Sequence, residues 1–222
     1  MLKNLLPSIV LTLSLLLTGC GETADSDTEN VVEHETTESA KSSEVVSPEN
    51  AQEADSVAET LAPEDVKLTQ ATWDEILSAA KSHHGKIVVL DVWSTSCPPC
   101  LREFHNLVEL SQKYPNQVVC LSCSTDFVGI SSKPPEYYEE RVRKFLSQQD
   151  AKFDNYLCNE PADEIFLKID LASIPAVYIF GEDGELVERF DNDTQKYGDE
   201  FTYVDHVLPK LNSLLKPTEN QD

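Results

Sequence analysis

At 222 residues and a net charge of −23, the chain has room for one ordinary domain with appendages, and its charge argues against nucleic acid or anionic lipid as a direct partner. The charge is concentrated. Residues 21–66 hold fourteen Asp or Glu against the single base Lys41, a net of −13, whereas the much longer piece from Lys67 onward holds 26 acids and 15 bases, a net of −11.

Residues 1–19 place one base, Lys3, before an apolar run from Leu5 to Leu17 and the small residues Thr18 and Gly19. That is the layout of a secretory signal peptide, too short and wrongly flanked for a mature transmembrane helix. The ending Leu17-Thr18-Gly19-Cys20 resembles a bacterial lipobox, which implies cleavage before Cys20 and acylation of its sulfur; the alternative is an ordinary signal peptide that happens to contain a cysteine. Two or three acyl chains anchor stably where one binds only marginally. Gly21 is not the aspartate of the common inner-membrane retention signal, so either membrane of the envelope stays open. From Cys20 to Val66 there is no aromatic residue and little apolar clustering, so the segment cannot offset its ordering entropy. It reads as an acidic tether with a reach of ~35–40 Å. The folded domain is expected over 67–216, in the periplasm or otherwise outside the cytoplasm, followed by a disordered tail, 217–222. Export permits disulfides among Cys97, Cys100, Cys120, Cys123 and Cys158, an odd number.

Within the domain, Thr72 and Glu75 have capping-box spacing, and Trp73, Ile76, Leu77 and Ala80 recur at helical period until Gly85. The run from Lys86 to Trp93 is, after Lys86 itself and apart from Asp91, apolar and rich in β-branched residues, the pattern of a central strand buried on both faces. A helix follows Cys100 with Leu101, Phe104, Val108 and Ser111 on one face, ending near Tyr114-Pro115. A second buried strand covers Gln117 to Asp126, and a helix carries Tyr138, Val142, Phe145 and Gln149 on one stripe. A short strand around Tyr156-Leu157-Cys158 and a short helix around Ile165-Phe166 come next. Ala176–Phe180 and Glu185–Asp191 form a hairpin about Gly184, and a last helix is kinked or divided at Pro209. Strands alternating with helices before a terminal hairpin predict an α/β sandwich with a mainly parallel sheet and one antiparallel edge.

Cys97-Pro98-Pro99-Cys100 lies where the buried strand gives way to a helix. A thiolate at Cys97 faces the unsatisfied N–H groups and positive end of that helix, which lowers a thiol's pKa. The three-residue offset lets Cys100 attack a mixed disulfide formed at Cys97 and release the substrate. Zinc needs a second ligand pair. Cys120 and Cys123 have the spacing, yet in a strand residues three apart point to opposite faces. Cys120 reads as core. His83, His84 and His105 read as isolated surface residues, and no metal site is expected.

With these residues in place, Leu68 to Leu215 resembles the thioredoxin-like thiol–disulfide oxidoreductases of the membrane-anchored TlpA/ResA type. The likeness rests on the Val88–Phe104 segment, the Ser173–Val187 segment, and an extra helix–strand unit between them. It implies a three-layer α/β/α sandwich whose mainly parallel sheet has a C-terminal antiparallel hairpin and an inserted helix–strand unit. It further implies a redox-active Cys97–Cys100 disulfide with no cofactor. Asp91, six residues before Cys97, matches a buried acid that relays a proton as Cys100 is activated; the alternative is a satisfied polar residue in the strand. Glu103 matches an acid that tunes the cysteine pair, or is a solvated first-turn carboxylate. Ile174-Pro175 matches a loop whose cis-proline faces the cysteines and whose backbone pairs with an extended substrate. Trp93 matches an aromatic with either a substrate-contact or a core role. Ser96 departs from the pattern, because relatives carry an aromatic there, and so changes the partner-facing rim.

The expected activity is disulfide exchange with exported proteins, leaning toward reduction, with re-reduction by a membrane electron donor, in a monomeric domain anchored through Cys20. Cys123 and Cys158, at the ends of two strands expected to be neighbours, are either a second disulfide or buried free thiols. Two other uses of Cys97 and Cys100 stay open: a Cu(I)-binding carrier, since thiolates suit that ion, and a non-catalytic binding lipoprotein with a structural disulfide.

Overall fold

The computed structural model describes residues 61–216. The signal peptide, Cys20, most of the acidic tether and the 217–222 tail lie outside the described residues. No helix among the described residues is long and apolar enough to cross a membrane.

Six strands form one sheet: β1 (Leu68–Ala71), β2 (Ile87–Trp93), β3 (Val118–Ser124), β4 (Asp154–Cys158), β5 (Ala176–Phe180) and β6 (Leu186–Phe190). Their spatial order is β1-β4-β3-β2-β5-β6, the first four mutually parallel and β5 antiparallel to both of its neighbours, β2 and β6. Five α-helices accompany them: α1 (Trp73–Lys81), α2 (Pro98–Lys113), α3 (Pro135–Gln148), α4 (Ala162–Lys168) and α5 (Leu208–Leu214). The inserted unit is α3 and β4, with β4 slotted between β1 and β3. This is the expected thioredoxin-like sandwich.

β2 is central, and all seven of its residues are buried because helices cover both faces. Its side chains alternate between two cores. Val89 and Trp93 join the one built by Phe104, Leu107, Tyr138, Val142, Tyr203 and Leu211 from α2, α3 and the C-terminal segment. Val88, Leu90 and Val92 join the other, with Trp73, Ile76 and Ile165 from α1 and α4.

Local signals set the helix starts. Thr72 Oγ1 accepts the Glu75 N–H at 3.3 Å while Glu75 Oε2 accepts the Thr72 N–H at 2.8 Å, closing the capping box of α1. Pro98 and Pro99 occupy the first turn of α2, where a missing N–H costs nothing. The buried face of α2 is displaced from the expected stripe: Leu107 and Leu110 are buried, whereas Leu101 and Ser111 are half-covered. On α3 likewise Leu146 and Ser147 replace Gln149 as the buried end of the stripe.

Two features had no clear sequence signal. β1, with the sequence Leu-Thr-Gln-Ala, forms the sheet edge. Ahead of it Leu61 to Val66, assigned to the tether from composition, is tied to α3: Ser147 Oγ donates to Leu61 O at 2.6 Å and Arg143 Nη1 donates to Val66 O at 2.7 Å. At the other end the helical segment divides as expected, but begins at Tyr203 with a wide π-type turn, Tyr203–Val207, before α5.

Phe104 is fully buried and packs its ring against Trp93, Phe145 and Phe153, with centroids 5.0, 5.1 and 6.4 Å away. Phe104→Ala is expected to lower the unfolding free energy by about 3–5 kcal/mol, read as a reduced urea midpoint with an unchanged slope.

Candidate active site

The C-terminal ends of β2, β3 and β4 point the same way, so the loops that follow them meet at one end of the sheet. Ser94 to Cys97 cross from β2 to α2. Cys97 and Cys100 are joined in a disulfide, Cα atoms 5.3 Å apart. Cys97 caps α2, and its sulfur accepts the Cys100 N–H at 3.3 Å. The Cys100 N–H, the first in α2 after the two prolines, is therefore already aimed at the atom that carries negative charge when the disulfide opens, which together with the positive end of the helix stabilises a Cys97 thiolate. Cys97 is 8% exposed and Cys100 3%, so Cys97 is the sulfur a partner reaches first.

Facing it, the Ile174–Pro175 bond is cis, and Ile174 O lies 3.8 Å from Cys97 Sγ. The loop before Cys97 is pinned from β3. Buried Asp126 accepts the Thr95 N–H at 3.0 Å, accepts the Ser124 hydroxyl at 2.6 Å, and bonds Thr95 Oγ1 and Arg141. These contacts fix the approach of the chain to Cys97. From the sequence Asp126 reads only as the last residue of a buried strand, whereas β3 ends at Ser124 and Asp126 lies in the loop beyond it.

Asp91 lies on the β2 face that carries α2 and both site cysteines, buried to 3% exposure. Desolvation pushes its carboxyl up to about 7, opposed by a hydrogen bond from Tyr203 and reinforced by the charge of Glu103. The Tyr203 hydroxyl donates to Asp91 Oδ2 at 2.6 Å, and Asp91 Oδ1 has no partner. Glu103 Oε2 accepts the Tyr203 N–H at 3.0 Å and faces Asn106 Nδ2 at 3.4 Å. Glu103 thus holds in place the residue that holds Asp91. Burial and the neighbouring Asp91 drive the Tyr203 hydroxyl well above the usual phenol range, so it remains a donor. Cys120, in the same core, is pushed up to about 12 by burial and stays a thiol. Tyr203 carries no mark in the sequence, because it meets Asp91 only through the fold.

No family model matches the chain. Among curated proteins it is similar to the thiol-disulfide oxidoreductase ResA of Bacillus thuringiensis subsp. konkukian (strain 97-27), 26% identical over 117 residues, covering 52% of this chain and 61% of the relative. It is also similar to a thiol:disulfide interchange protein DsbE homolog of Paracoccus denitrificans (strain Pd 1222), 26% identical over 163 residues, covering 73% of this chain and 75% of the relative. The chain therefore spans less than two thirds of the ResA relative. Among solved structures it is similar to a secreted Mycobacterium tuberculosis disulfide oxidoreductase homologous to E. coli DsbE, with TM-score 0.46 and 21% identity over 69% of this chain and all of that one. It is also similar to the exposed lipoprotein thioredoxin Etrx1 of Streptococcus pneumoniae strain TIGR4, with TM-score 0.44 and 21% identity over 61% of this chain and 90% of that one. The chain has the thioredoxin-like fold and is similar in sequence to ResA- and DsbE-type thiol–disulfide oxidoreductases.

Within that ResA/DsbE-like frame the remaining sequence expectations fall as follows. Trp93 is fully buried with its ring 5.0 Å from Phe104 and 4.8 Å from Phe145, so it has no surface to offer a partner and serves the core instead. Ser96 is exposed on the rim, its hydroxyl 2.9 Å from that of Ser94. Cys120 and Cys123 fall in opposite cores, as strand alternation requires. Cys123 and Cys158 are buried and unbridged, in the core opposite the Cys97–Cys100 bond. Among the described residues no three His, Cys, Asp or Glu side chains converge on a metal-sized space.

Two outcomes follow from Asp91. Its folded-state pKa lies above the ordinary value near 4, so the folded state binds the extra proton between about pH 4 and about 7. Stability is full below that window and falls as pH rises through it, by a few kcal/mol in all. Asp91→Asn is expected to flatten this dependence and to raise stability at pH 8, measured by urea unfolding across pH. Tyr203→Phe removes the one bond favouring the carboxylate, and is expected to shift the titration midpoint of the exchange rate upward from near 7 by about one unit.

Proposed function

We propose that the chain is a thiol–disulfide oxidoreductase acting on disulfides of exported proteins, as a reductant, from the outer side of a bacterial membrane. The observation that carries this reading is a Cys97–Cys100 disulfide capping a helix, with a buried carboxyl of near-neutral pKa on the same face of the sheet.

In the reduced form the Cys97 thiolate attacks one sulfur of a partner disulfide, forming a mixed disulfide and expelling the other partner sulfur as a thiolate. Asp91 accepts the proton of Cys100, directly or through one water at its free Oδ1. The Cys100 thiolate then attacks Cys97, closing the intramolecular disulfide and releasing the second partner thiol. Two electrons have passed to the partner, and the closed disulfide awaits a membrane electron donor. A base titrating near 7 is half in each form at neutral pH, which suits it to this step. Ile174, with its carbonyl beside Cys97, offers backbone to an extended partner segment, and exposed Ser96 gives the rim a small polar edge. Glu103 acts through Tyr203 as a positioning residue rather than by touching sulfur.

The lipobox-like Leu17–Cys20 supports acylation at Cys20, and the acidic stretch behind it supports a tether that keeps the domain near the membrane. The ResA and DsbE names of the sequence relatives support the same chemistry.

In a purified-chain assay of protein-disulfide reduction driven by a dithiol, the native sequence is expected to turn over. Cys97→Ser is expected to abolish turnover, and Cys100→Ser to accumulate a mixed disulfide with the substrate on a non-reducing gel. Absence of trapped species, together with one Cu(I) bound per chain through Cys97 and Cys100, would overturn the reading in favour of metal carriage.

A further inference from the structure

We propose that Cys123 and Cys158 form a second redox couple of the domain, a buried dithiol that closes to a cross-strand disulfide on the sheet face opposite Cys97–Cys100. Its electron acceptor is a low-molecular-weight disulfide. The exchange at Cys97 and Cys100 neither uses these thiols nor is needed for this step.

The placement follows from register. β3 and β4 are parallel, with Cys123 opposite Tyr156, so Cys158 is the diagonal neighbour two residues on and shares its face. Both side chains belong to the core formed with Trp73, Ile76 and Ile165, and both are fully buried. Each thiol lies close enough to bias the ionisation of the other, and the Glu160 backbone N–H further favours a thiolate at Cys158. The neighbouring thiol pulls Cys158 below its ordinary range, while that same neighbour and burial hold Cys123 well above. In such a pair one thiol ionises and attacks, and its neighbour resolves the mixed disulfide.

The step balances. The Cys158 thiolate attacks a small disulfide RSSR, giving a mixed disulfide and one RS⁻, which takes up the proton Cys158 gave up. Cys123 then loses its proton and attacks Cys158 Sγ, expelling the second RS⁻, which takes that proton. Two protein thiols become one disulfide, and RSSR becomes two RSH.

Geometry and access shape the reaction. In a parallel pair, with strands ~4.8 Å apart and a rise of ~3.3 Å per residue, diagonal neighbours lie ~8 Å apart at Cα, and a disulfide needs ~4.4–6.8 Å. Closure therefore draws the strand ends together by about 1 Å, which is easiest at Cys158, the last residue of β4. Cover on the outer side comes from β1, a four-residue edge strand that pairs with β4 alone and sets Ala71 against Cys158. Local opening of such an edge admits a small reagent where a folded protein partner does not fit, so the two redox centres answer to different oxidants.

The test uses the full chain carrying Cys97→Ser and Cys100→Ser, so that the first site cannot relay electrons. The protein is equilibrated with increasing ratios of oxidised to reduced glutathione, quenched in acid, alkylated after denaturation and mapped by mass spectrometry. Of Cys120, Cys123 and Cys158, the number alkylated is expected to fall from three to one, with Cys120 remaining and the other two recovered as a cross-linked peptide pair. Adding Cys158→Ala, with native circular dichroism, is expected to restore alkylation of Cys123 at every ratio. Alkylation of both Cys123 and Cys158 at the most oxidising ratio would overturn the proposal, as would a cross-link joining either of them to Cys120.

Discussion

A carboxyl group with one hydrogen-bond partner and one bare oxygen, sealed between a central strand and the helix that follows it, is the constraint around which this site is organised. Asp91 is in β2 because a thioredoxin-like sheet must run its central strand straight into the cysteine loop, and nothing polar enough to solvate a carboxylate follows it there. The environment therefore favours the neutral acid, and the carboxyl titrates near 7 instead of near 4. Tyr203 moderates this penalty with its hydroxyl, and Glu103 fixes Tyr203 through its backbone. The π-type turn that carries Tyr203 thus helps set the surroundings of Asp91, although it lies on the last helical segment of the domain.

The sulfur chemistry depends on a separate device, the junction of a strand and a helix. Cys97 is both the end of the crossing loop and the cap of α2, so the Cys100 N–H and the positive end of the helix face its sulfur without any side chain being recruited. Asp126 holds the loop in that position from the neighbouring strand, and Arg141 balances its charge from α3. The inserted α3–β4 unit therefore contributes to the site by bracing it, while β4 also brings Cys158 beside Cys123.

Features encoded over a few residues were legible. The capping box at Thr72 and Glu75, the buried β-branched run of β2, the proline-started α2 and the Gly184 turn are local, and the fold class followed from their order. Asp91 and the cysteine pair were legible because they share one short segment. Tyr203 was not: it pairs with a residue 112 positions away, and a tyrosine in an amphipathic segment carries no mark of its partner. β1 was missed because four mixed residues at a sheet edge have no periodicity to display, and pairing with β4 decides their conformation. Trp93 was ambiguous for the opposite reason, since an aromatic beside an active cysteine pair reads the same whether it faces inward or outward. Only the rings of Phe104 and Phe145 on its two sides resolve that.

Burial keeps Asp91 protonated up to about neutrality while the disulfide is closed. The most direct measurement is a titration of the oxidised protein followed by the carboxyl carbon resonance of Asp91, assigned by comparison with Asp91→Asn. The account predicts a midpoint close to 7. A midpoint near 4, the value of a solvated aspartate, would contradict it.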